Sequence, residues 1–221
     1  SKGNMYRRKD RRSDSKQFEP KPYEQAAQWF RLAAAQDYAE AYSNLGFLYE
    51  QGMLLTGANS RRVPSLYREA QGLYMRAADP GGLVRLKGEK AVAQLGQNVP
   101  GLTVAQYNLG SLYDPDELIA DGLPAGAEQE FRRNKKEARA EFWYGQAAAK
   151  GHAKAQVALA KRMLNRPKLD AVDRVAALKW LYLASDKSDG EAFKLLEEQE
   201  SRPVKITKAA RVAADLFLPN S

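Results

Sequence analysis

The sequence predicts an all-α fold built from antiparallel helix pairs, and three observations lead to that prediction. Two short residue patterns recur along the 221-residue chain. Within each copy, apolar residues fall at the i, i+3, i+4 and i+7 spacing of an amphipathic helix. Strand-like alternation of apolar and polar residues is absent, and β-branched residues are few. One helix pair is too small to bury its apolar face alone, so we expect each pair to pack on the next.

The first pattern predicts the first helix of each pair. It is an aromatic or leucine pair followed three or four positions later by small residues, and its copies lie at residues 29–34, 73–78, 143–148 and 180–185. The second pattern starts with alanine, runs into a leucine and predicts the second helix, with copies at 41–46, 105–110, 155–160 and 192–197. The tryptophans share one position of the first helix and are expected in the core: Trp29, Trp143 and Trp180.

These patterns divide the chain into about four repeats. We place the repeats at residues 23–60, 65–120, 134–170 and 172–200, within an array that spans 22–221. The last repeat departs most from the shared pattern, as terminal repeats often do. Residues 203–218 have the apolar spacing of a closing amphipathic helix, which we expect to cap the array.

The spacing of the two patterns reveals an insertion. They start 12 residues apart in the first, third and fourth repeats but 32 apart in the second. Proline and glycine turn signals bound the extra residues, 80–100, on both sides. We expect this insertion to lie outside the packing of the repeats and to form one short helix. The apolar residues of that helix would be Leu83, Leu86, Ala91, Val92 and Leu95.

Small residues within the second helices predict where helices come close together. Gly46 and Gly110 lie inside helical patterns, where a glycine costs about 1 kcal/mol relative to alanine. A glycine retained in two repeats indicates close approach of a neighbouring helix. Ala160 is expected to serve the same purpose in the third repeat.

The motifs in these repeats resemble a known family. The closest resemblance is the run Leu-Gly-Phe-Leu-Tyr-Glu-Gln-Gly at residues 45–52, and 109–113 repeat it as Leu-Gly-Ser-Leu-Tyr. Residues 147–156 resemble the turn and second helix of the same family, the Sel-one-like repeats, which are relatives of the tetratricopeptide repeats. The resemblance covers about residues 23–200 and implies a right-handed superhelix, or α solenoid, with a concave groove. It also favours a bacterial protein that is periplasmic or secreted over a cytoplasmic one.

The composition argues against an enzyme. The chain has no cysteine, which removes disulfides, thiolate metal sites and a thiol nucleophile, and it has one histidine, His152. We find no convergent acid–base set and expect no catalytic residues, cofactor or metal. The longest uncharged run, residues 91–113, contains too many amides and hydroxyls, and a Pro-Gly breaker, for a membrane span.

Two polar features could hold a metal, and a structural role is favoured for each. His152 follows a glycine in a turn between helices and lacks a second histidine. An acidic cluster could suggest calcium, although it lacks the spacing of an EF-hand loop. Its members are Asp114, Asp116, Glu117 and Asp121. Within it, Asp114-Pro115 is typical of an N-cap followed by proline at the first helical position.

The predicted groove is lined by first-helix positions that do not face the core. Aligning the repeats gives one such position as Gln28, Gly72, Phe142 and Lys179, and another as Arg31, Met75, Gly145 and Tyr182. Phe142 and Tyr182 are candidate binding anchors, because partly exposed aromatics often fill that role, unless they pack against the next repeat. Asn44 and Asn108 precede the Leu-Gly pair. Tetratricopeptide relatives imply that they hold a peptide backbone or carboxylate, and a local helix-stabilising role is the alternative. The candidate partner-binding residues are Gln28, Arg31, Asn44, Asn108, Phe142, Lys179 and Tyr182.

The sequence therefore predicts a scaffold that binds a protein or peptide, with binding to a nucleic acid or another polyanion as the alternative. The net charge is +8, and residues 1–21 contribute much of it through eight basic and three acidic residues. We expect this basic tail to be a flexible, solvated segment. A polyanion would use the tail and the basic run at 132–136, and its binding would weaken steeply with salt. The oligomeric state does not follow from the sequence.

Overall fold

The computed structural model describes residues 22–54, 65–117, 119, 123, 125–167, 169, 171–186 and 189–200. Within these ranges the chain forms helices and connecting segments and contains no strand, which confirms the all-α prediction. The helices are α1 (Pro22–Ala34), α2 (Ala39–Glu50), α3 (Leu66–Ala78), α4 (Leu83–Lys87), α5 (Glu89–Gln94), α6 (Thr103–Tyr113), α7 (Ala125–Asn134), α8 (Glu137–Ala149), α9 (Ala153–Leu164), α10 (Ala171–Ser185) and α11 (Gly190–Glu200). The predicted basic tail, the capping helix at 203–218 and Asp121 lie outside the described residues.

Eight of the described helices follow one another in a chain of contacts. The pairs are α1–α2, α3–α6, α8–α9 and α10–α11, and the joints between pairs are α2–α3, α6–α8 and α9–α10. In the order α1, α2, α3, α6, α8, α9, α10 and α11, each helix after the first therefore packs on the one before it. None of the described helices has the length and apolar content needed to cross a bilayer.

Local side-chain caps set several helix starts. The Ser65 hydroxyl accepts a hydrogen bond from the Arg68 amide at 3.0 Å, which caps α3. His152 caps α9 in the same way, since its Nδ1 accepts from the Ala155 amide at 3.2 Å, and its ring stacks on Tyr107 with centroids 4.7 Å apart. The structure thus gives His152 a capping and packing role.

The joints between pairs depend on small residues at the predicted positions. A Cβ added at Gly46 of α2 would lie 2.8 Å from Cε1 of Tyr74 on α3. A Cβ added at Gly110 of α6 would lie 2.3 Å from Cδ1 of Tyr144 on α8. Both distances are far below van der Waals contact, so the predicted close approach is confirmed at both glycines. A tyrosine ring on the next first helix occupies the space that each missing Cβ leaves.

The third joint uses a different pair of residues at the same positions. Alanine replaces the glycine at Ala160 of α9, and leucine replaces the tyrosine at Leu181 of α10. Both are buried in one hydrophobic cluster. Compared with the other two joints, α9 gains the methyl group of Ala160, and α10 carries leucine where the other first helices carry a larger tyrosine. The total volume packed in the joint therefore stays similar.

Equivalent tryptophans differ in burial, which corrects one prediction. Trp143 is fully buried and Trp180 is half-buried, as expected for the core, but Trp29 is 71% exposed. No helix precedes α1 in the described part of the chain, so nothing there covers this position. The core role predicted for Trp29 is therefore wrong.

The insertion at 80–100 belongs to the core, contrary to the prediction. It forms the two short helices α4 and α5, and Val84, Val92 and Val99 join the main hydrophobic cluster. Of the apolar residues expected to line a single helix, Leu86 and Leu95 are exposed. Apolar periodicity shows that a segment is helical, but it does not show which surface the segment packs on. The prediction therefore placed residues 80–100 outside the repeats.

Two side-chain amides attach the insertion to the helix pairs. Gln146 Oε1 accepts from the Val99 amide at 2.7 Å, and its Nε2 donates to the Gln97 carbonyl at 3.2 Å. Gln106 Nε2 donates to the Val99 carbonyl at 2.9 Å. These bonds satisfy backbone groups that burial would otherwise leave unpaired.

The acidic segment after α6 also differs from the prediction. Asp114 ends α6 rather than starting a helix, and residues 115–117 form a turn and bend. The Asp114 carboxylate accepts from the Asp116 amide at 3.0 Å and from Arg162 Nη1 at 2.6 Å, and it is buried. An N-cap requires a helix to follow, whereas here the carboxylate forms a buried ion pair with α9.

We predict that Gly110→Ala lowers the free energy of unfolding by about 1–3 kcal/mol, because the added methyl group overpacks the joint with Tyr144. Gly72→Ala is the matched control, since a Cβ added there would have no atom within 4 Å apart from its adjacent residues and the backbone of its own helix. The control should raise the free energy of unfolding by up to about 1 kcal/mol through helix propensity. Urea denaturation followed by circular dichroism measures both.

Combining Gly110→Ala with Tyr144→Leu reproduces the residue types of the third joint. We expect the double variant to be less destabilised than the sum of the two single variants, which a double-mutant cycle measures. Strict additivity would contradict the direct steric contact between the two positions.

A hydrogen bond reinforces the joint between α2 and α3. The Tyr74 hydroxyl donates to Glu50 Oε2 at 2.7 Å. Burial raises the pKa of the Glu50 carboxyl, and the hydrogen bond from Tyr74 offsets only part of that effect. The pKa of the Tyr74 hydroxyl is raised as well, first by burial and then by the charge of Glu50.

This raised pKa predicts the sign of a pH effect. A carboxyl of this kind contributes most to stability below its unfolded pKa, and the contribution is lost as the pH rises through the folded pKa. Glu50→Gln keeps an acceptor for Tyr74 and cannot ionise. We expect it to match or exceed the wild-type free energy of unfolding at pH 7, with any gap closing as the pH falls to about 4, near the ordinary pKa of glutamate. A wild type that is more stable than the variant at pH 7 would contradict the assignment, and Glu197→Gln on the exposed surface is the control.

Candidate binding groove

A groove of about 740 Å³ opens on the surface of the first helices α3 and α8. The α3 side contributes Gln71, Met75 and Arg76, and α8 contributes Arg139. Asp79 and the first half of the insertion, up to Glu89, form a wall, and the turn between α1 and α2 lies at the other side. Three helix pairs and the insertion thus contribute to one concave surface.

Tyr113, at the end of α6, organises one side of the groove. Its hydroxyl accepts from Gln71 Nε2 at 2.6 Å and from Arg139 Nη1 at 3.2 Å. The Arg139 guanidinium also lies 5.2 Å from the centre of the Tyr113 ring, and its Nε lies 3.2 Å from Glu89 Oε2. These contacts hold Arg139 in a defined orientation.

Arg76 lies on the opposite side of the groove. Its guanidinium is 4.6 Å from the centre of the Tyr42 ring, and its Nη2 is 3.9 Å from Asp37 Oδ1. The Tyr42 hydroxyl donates to the same Asp37 oxygen at 2.8 Å, and this hydrogen bond is the main cause of the raised pKa of Tyr42. Both side chains of the Arg76–Asp37 pair are largely exposed, so the pair is weak and the Arg76 guanidinium remains accessible.

The acidic and basic side chains of the groove differ in how many hydrogen bonds and ion pairs they already form within the protein. Asp79 accepts from the Leu83 and Val84 amides, each at 2.8 Å, and so caps α4. Glu89 accepts from Trp143 Nε1 at 3.0 Å besides facing Arg139. Arg85, by contrast, is exposed and forms no ion pair or hydrogen bond with its side chain among the described residues. Arg76 and Arg85 are therefore the groups best able to bind an acidic ligand.

A second cleft, of about 520 Å³, lies along α6, α9 and the start of α11. It contains three members of the predicted acidic cluster, and several of its charges pair with one another. Arg162 Nη1 binds Asp114 at 2.6 Å and lies 3.3 Å from Asp116, and Lys161 binds Glu191 at 3.0 Å, which raises the pKa of that lysine. This cleft is better explained as an ion-paired joint than as a binding site.

The candidate residues named from the sequence do not meet in one cavity. Gln28, Arg31 and Asn44 are exposed on α1 and α2, and Arg31 Nη2 lies 3.5 Å from the Tyr49 hydroxyl. Asn108 Nδ2 donates to Ser43 Oγ at 3.4 Å, linking α6 to α2. None of these four lines the described groove.

The three remaining candidates lie on the later first helices. Phe142 is half-buried with its ring edge-on to Trp143 at 5.0 Å, and Lys179 lies 5.1 Å above the Trp180 ring. Tyr182 is half-buried against the cluster shared by α9, α10 and α11. None of the three lines the groove, whereas Met75, at the same repeat position as Tyr182, does. The role of all seven candidates in binding stays a prediction.

Sequence reasoning missed Gln71, Arg76, Arg85 and Arg139. Tyr113 gave a signal, because it ends the Leu-Gly-x-x-Tyr motif, but the motif was assigned to the fold alone. Arg85 lies in the insertion, which the sequence pattern places outside the packing of the repeats, and Arg76 and Arg139 belong to no motif that singles them out.

No protein-family model matches this chain, and no curated protein is similar to it at a significant level. The resemblance to Sel-one-like repeats therefore rests on the quoted motifs.

We predict that Tyr113→Phe lowers the free energy of unfolding by about 1 kcal/mol, because Gln71 and Arg139 lose a shared acceptor. Tyr49→Phe is the matched control. Tyr49 occupies the same motif position, and among the described residues its hydroxyl contacts only Arg31, at 3.5 Å, so loss of that hydroxyl should cost less than about 0.5 kcal/mol. Urea denaturation checks the order, and an equal cost for both variants would contradict the organising role of Tyr113.

Proposed function

We propose that this protein is a non-enzymatic interaction scaffold that binds a protein or peptide partner in the groove between α3 and α8. In this proposal the helix pairs form a right-handed superhelix of the Sel-one-like kind, and the groove lies on its concave face. The observation that carries the proposal is the groove itself. A first helix from each of two pairs, the end of α6 and the insertion together line a cavity large enough for several side chains.

Charge indicates which partner groups fit. Asp79 and Glu89 are already occupied by backbone amides, an indole and Arg139. Arg76 and Arg85 are both exposed and line the same cavity. Guanidinium groups form paired hydrogen bonds with carboxylates. The partner segment that suits this groove carries at least one acidic side chain or a terminal carboxylate, beside apolar atoms that contact Met75 and Tyr42.

Polyanion binding is the second candidate, and its supporting observation is the charge of residues 1–21. The other basic segment, 132–136, is partly occupied. Arg132 pairs with Glu128 at 2.7 Å, and Lys135 Nζ donates to the Ser111 carbonyl at 3.2 Å. Burial lowers the pKa of Lys135. These contacts make the segment a weaker phosphate site than its sequence indicates.

Affinity capture with charge-reversal variants tests the proposal. The full chain is immobilised, and captured proteins are compared quantitatively with those held by Arg76→Glu/Arg85→Glu. The control is Arg68→Glu/Lys194→Glu, which makes the same change of charge at exposed residues outside both the groove and the basic run at 132–136. We expect a specific partner to be retained by the control and reduced at least about tenfold by the groove variant.

The same partner then distinguishes the remaining hypotheses. Phe142→Ala and Tyr182→Ala test the anchors predicted from the sequence, and Lys16→Ala tests the basic tail. A partner lost with Lys16→Ala and with moderate salt, but retained by Arg76→Glu/Arg85→Glu, would contradict the groove and support a polyanion.

A further inference from the structure

The first helix of the array presents an uncovered apolar stripe. On α1, Trp29 is 71% exposed and Leu32 is 58% exposed. They are three residues apart and therefore neighbours on one helix face. Isolated exposed apolar residues are common, but a tryptophan exposed to this degree beside a leucine is typical of a contact surface.

The other repeats indicate that this position is built to be covered. Trp143 is fully buried and its indole Nε1 donates to Glu89, which lies in the insertion of the preceding pair. Leu73 packs against two clusters, the one formed by α1 and α2 and the main cluster. Trp180 likewise packs against two clusters, the main cluster and the one that α10 itself belongs to. In each case residues of the preceding pair contribute. On α1 the described chain offers no equivalent cover.

The stripe around Trp29 carries no charge. Its members at helical spacing are Pro22, Gln25, Ala26, Trp29, Leu32 and Ala33. In a pairing about a twofold axis each surface meets its own copy, so a charged residue near the axis would face a like charge. An uncharged stripe meets this requirement for self-association.

The last described helix, α11, is unsuited to pair with α1 in the manner of an internal joint. The exposed residues of α11 include Glu191, Lys194 and Glu197. Glu197 occupies the position of Gly46 and Gly110, where the internal joints need a small residue. A head-to-tail contact would place this carboxylate against the next first helix, so it cannot reproduce an internal joint.

Residues 1–21 are also a poor match for the stripe. They carry eight basic and three acidic residues, and their aromatic residues, Tyr6 and Phe18, are twelve positions apart without a periodic apolar pattern. A segment with this composition gains little by burying Trp29 and Leu32.

We propose that two copies of this chain pair through α1, with the stripe around Trp29 and Leu32 at a twofold axis. The 13 residues of α1 span about 20 Å, so the contact belongs to the small class of interfaces and the dimer is weak, with a Kd in the micromolar range. The pairing is independent of the proposed function, since Arg76 and Arg85 lie outside the stripe.

Sedimentation velocity of the full chain from about 1 to 200 µM tests the pairing, because that range brackets a micromolar Kd. We expect the weight-average mass to rise from monomer to dimer. Trp29→Ala should weaken the dimer at least about 25-fold, as loss of a central aromatic does in other interfaces. Leu32→Glu should abolish it by placing like charges near the axis. Because both side chains are largely exposed, circular dichroism should show an unchanged helix content.

Phe193→Ala is the matched control, since Phe193 is 53% exposed on α11, the last of the described helices. It should leave the dimer intact, as should Arg76→Glu/Arg85→Glu. A chain that stays monomeric at every concentration would overturn the proposal. So would a dimer that survives Leu32→Glu, or one that is lost with Phe193→Ala. A monomer in which the part of the fluorescence that is lost in Trp29→Phe is shielded from acrylamide would overturn the proposal too, and would identify another segment of the chain, such as residues 1–21 or 203–218, as the cover.

Discussion

The packing of this protein depends on how closely a second helix approaches the first helix of the next pair. At two joints a glycine allows a buried tyrosine ring to lie where a Cβ would otherwise be, with Gly46 against Tyr74 and Gly110 against Tyr144. A third joint uses alanine and leucine at the equivalent positions. Glycine weakens an isolated helix by about 1 kcal/mol, and the burial of a complete tyrosine ring offsets that cost. The joints set the spacing of the helix pairs and therefore the width of any surface between them.

Polar groups make these joints more specific than apolar contact alone. Tyr74 donates to Glu50, and Gln106 and Gln146 bind backbone groups of the insertion. Arg162 joins α9 to the end of α6 through the buried Asp114. A buried ion pair adds little net stability because both charges lose their hydration, but removing one partner is strongly unfavourable. Alternative packings that separate these groups are therefore disfavoured.

The insertion has two roles that follow from one set of contacts. Val84, Val92 and Val99 extend the hydrophobic core, and the same segment supplies Arg85 and Glu89 to the groove. Glu89 connects the roles, since it accepts from the core residue Trp143 and orients Arg139 at the groove surface. The insertion thus forms one wall of the groove, and the helix pairs supply the other residues, among them Met75 and Tyr113.

The sequence by itself determined the helical class, the order of the helix pairs and the close approach at Gly46 and Gly110, because these follow from local periodicity and from the spacing of small residues. It also located Tyr113 within a motif. Tertiary structure alone decided that Trp29 is exposed while Trp143 is buried, that the insertion packs as two helices, and that Asp114 pairs with Arg162. It also brought Gln71, Arg76, Arg85 and Arg139 to one cavity. The physical reason is that periodicity reports which face of a helix is apolar, whereas burial and charge pairing depend on which distant segment covers that face.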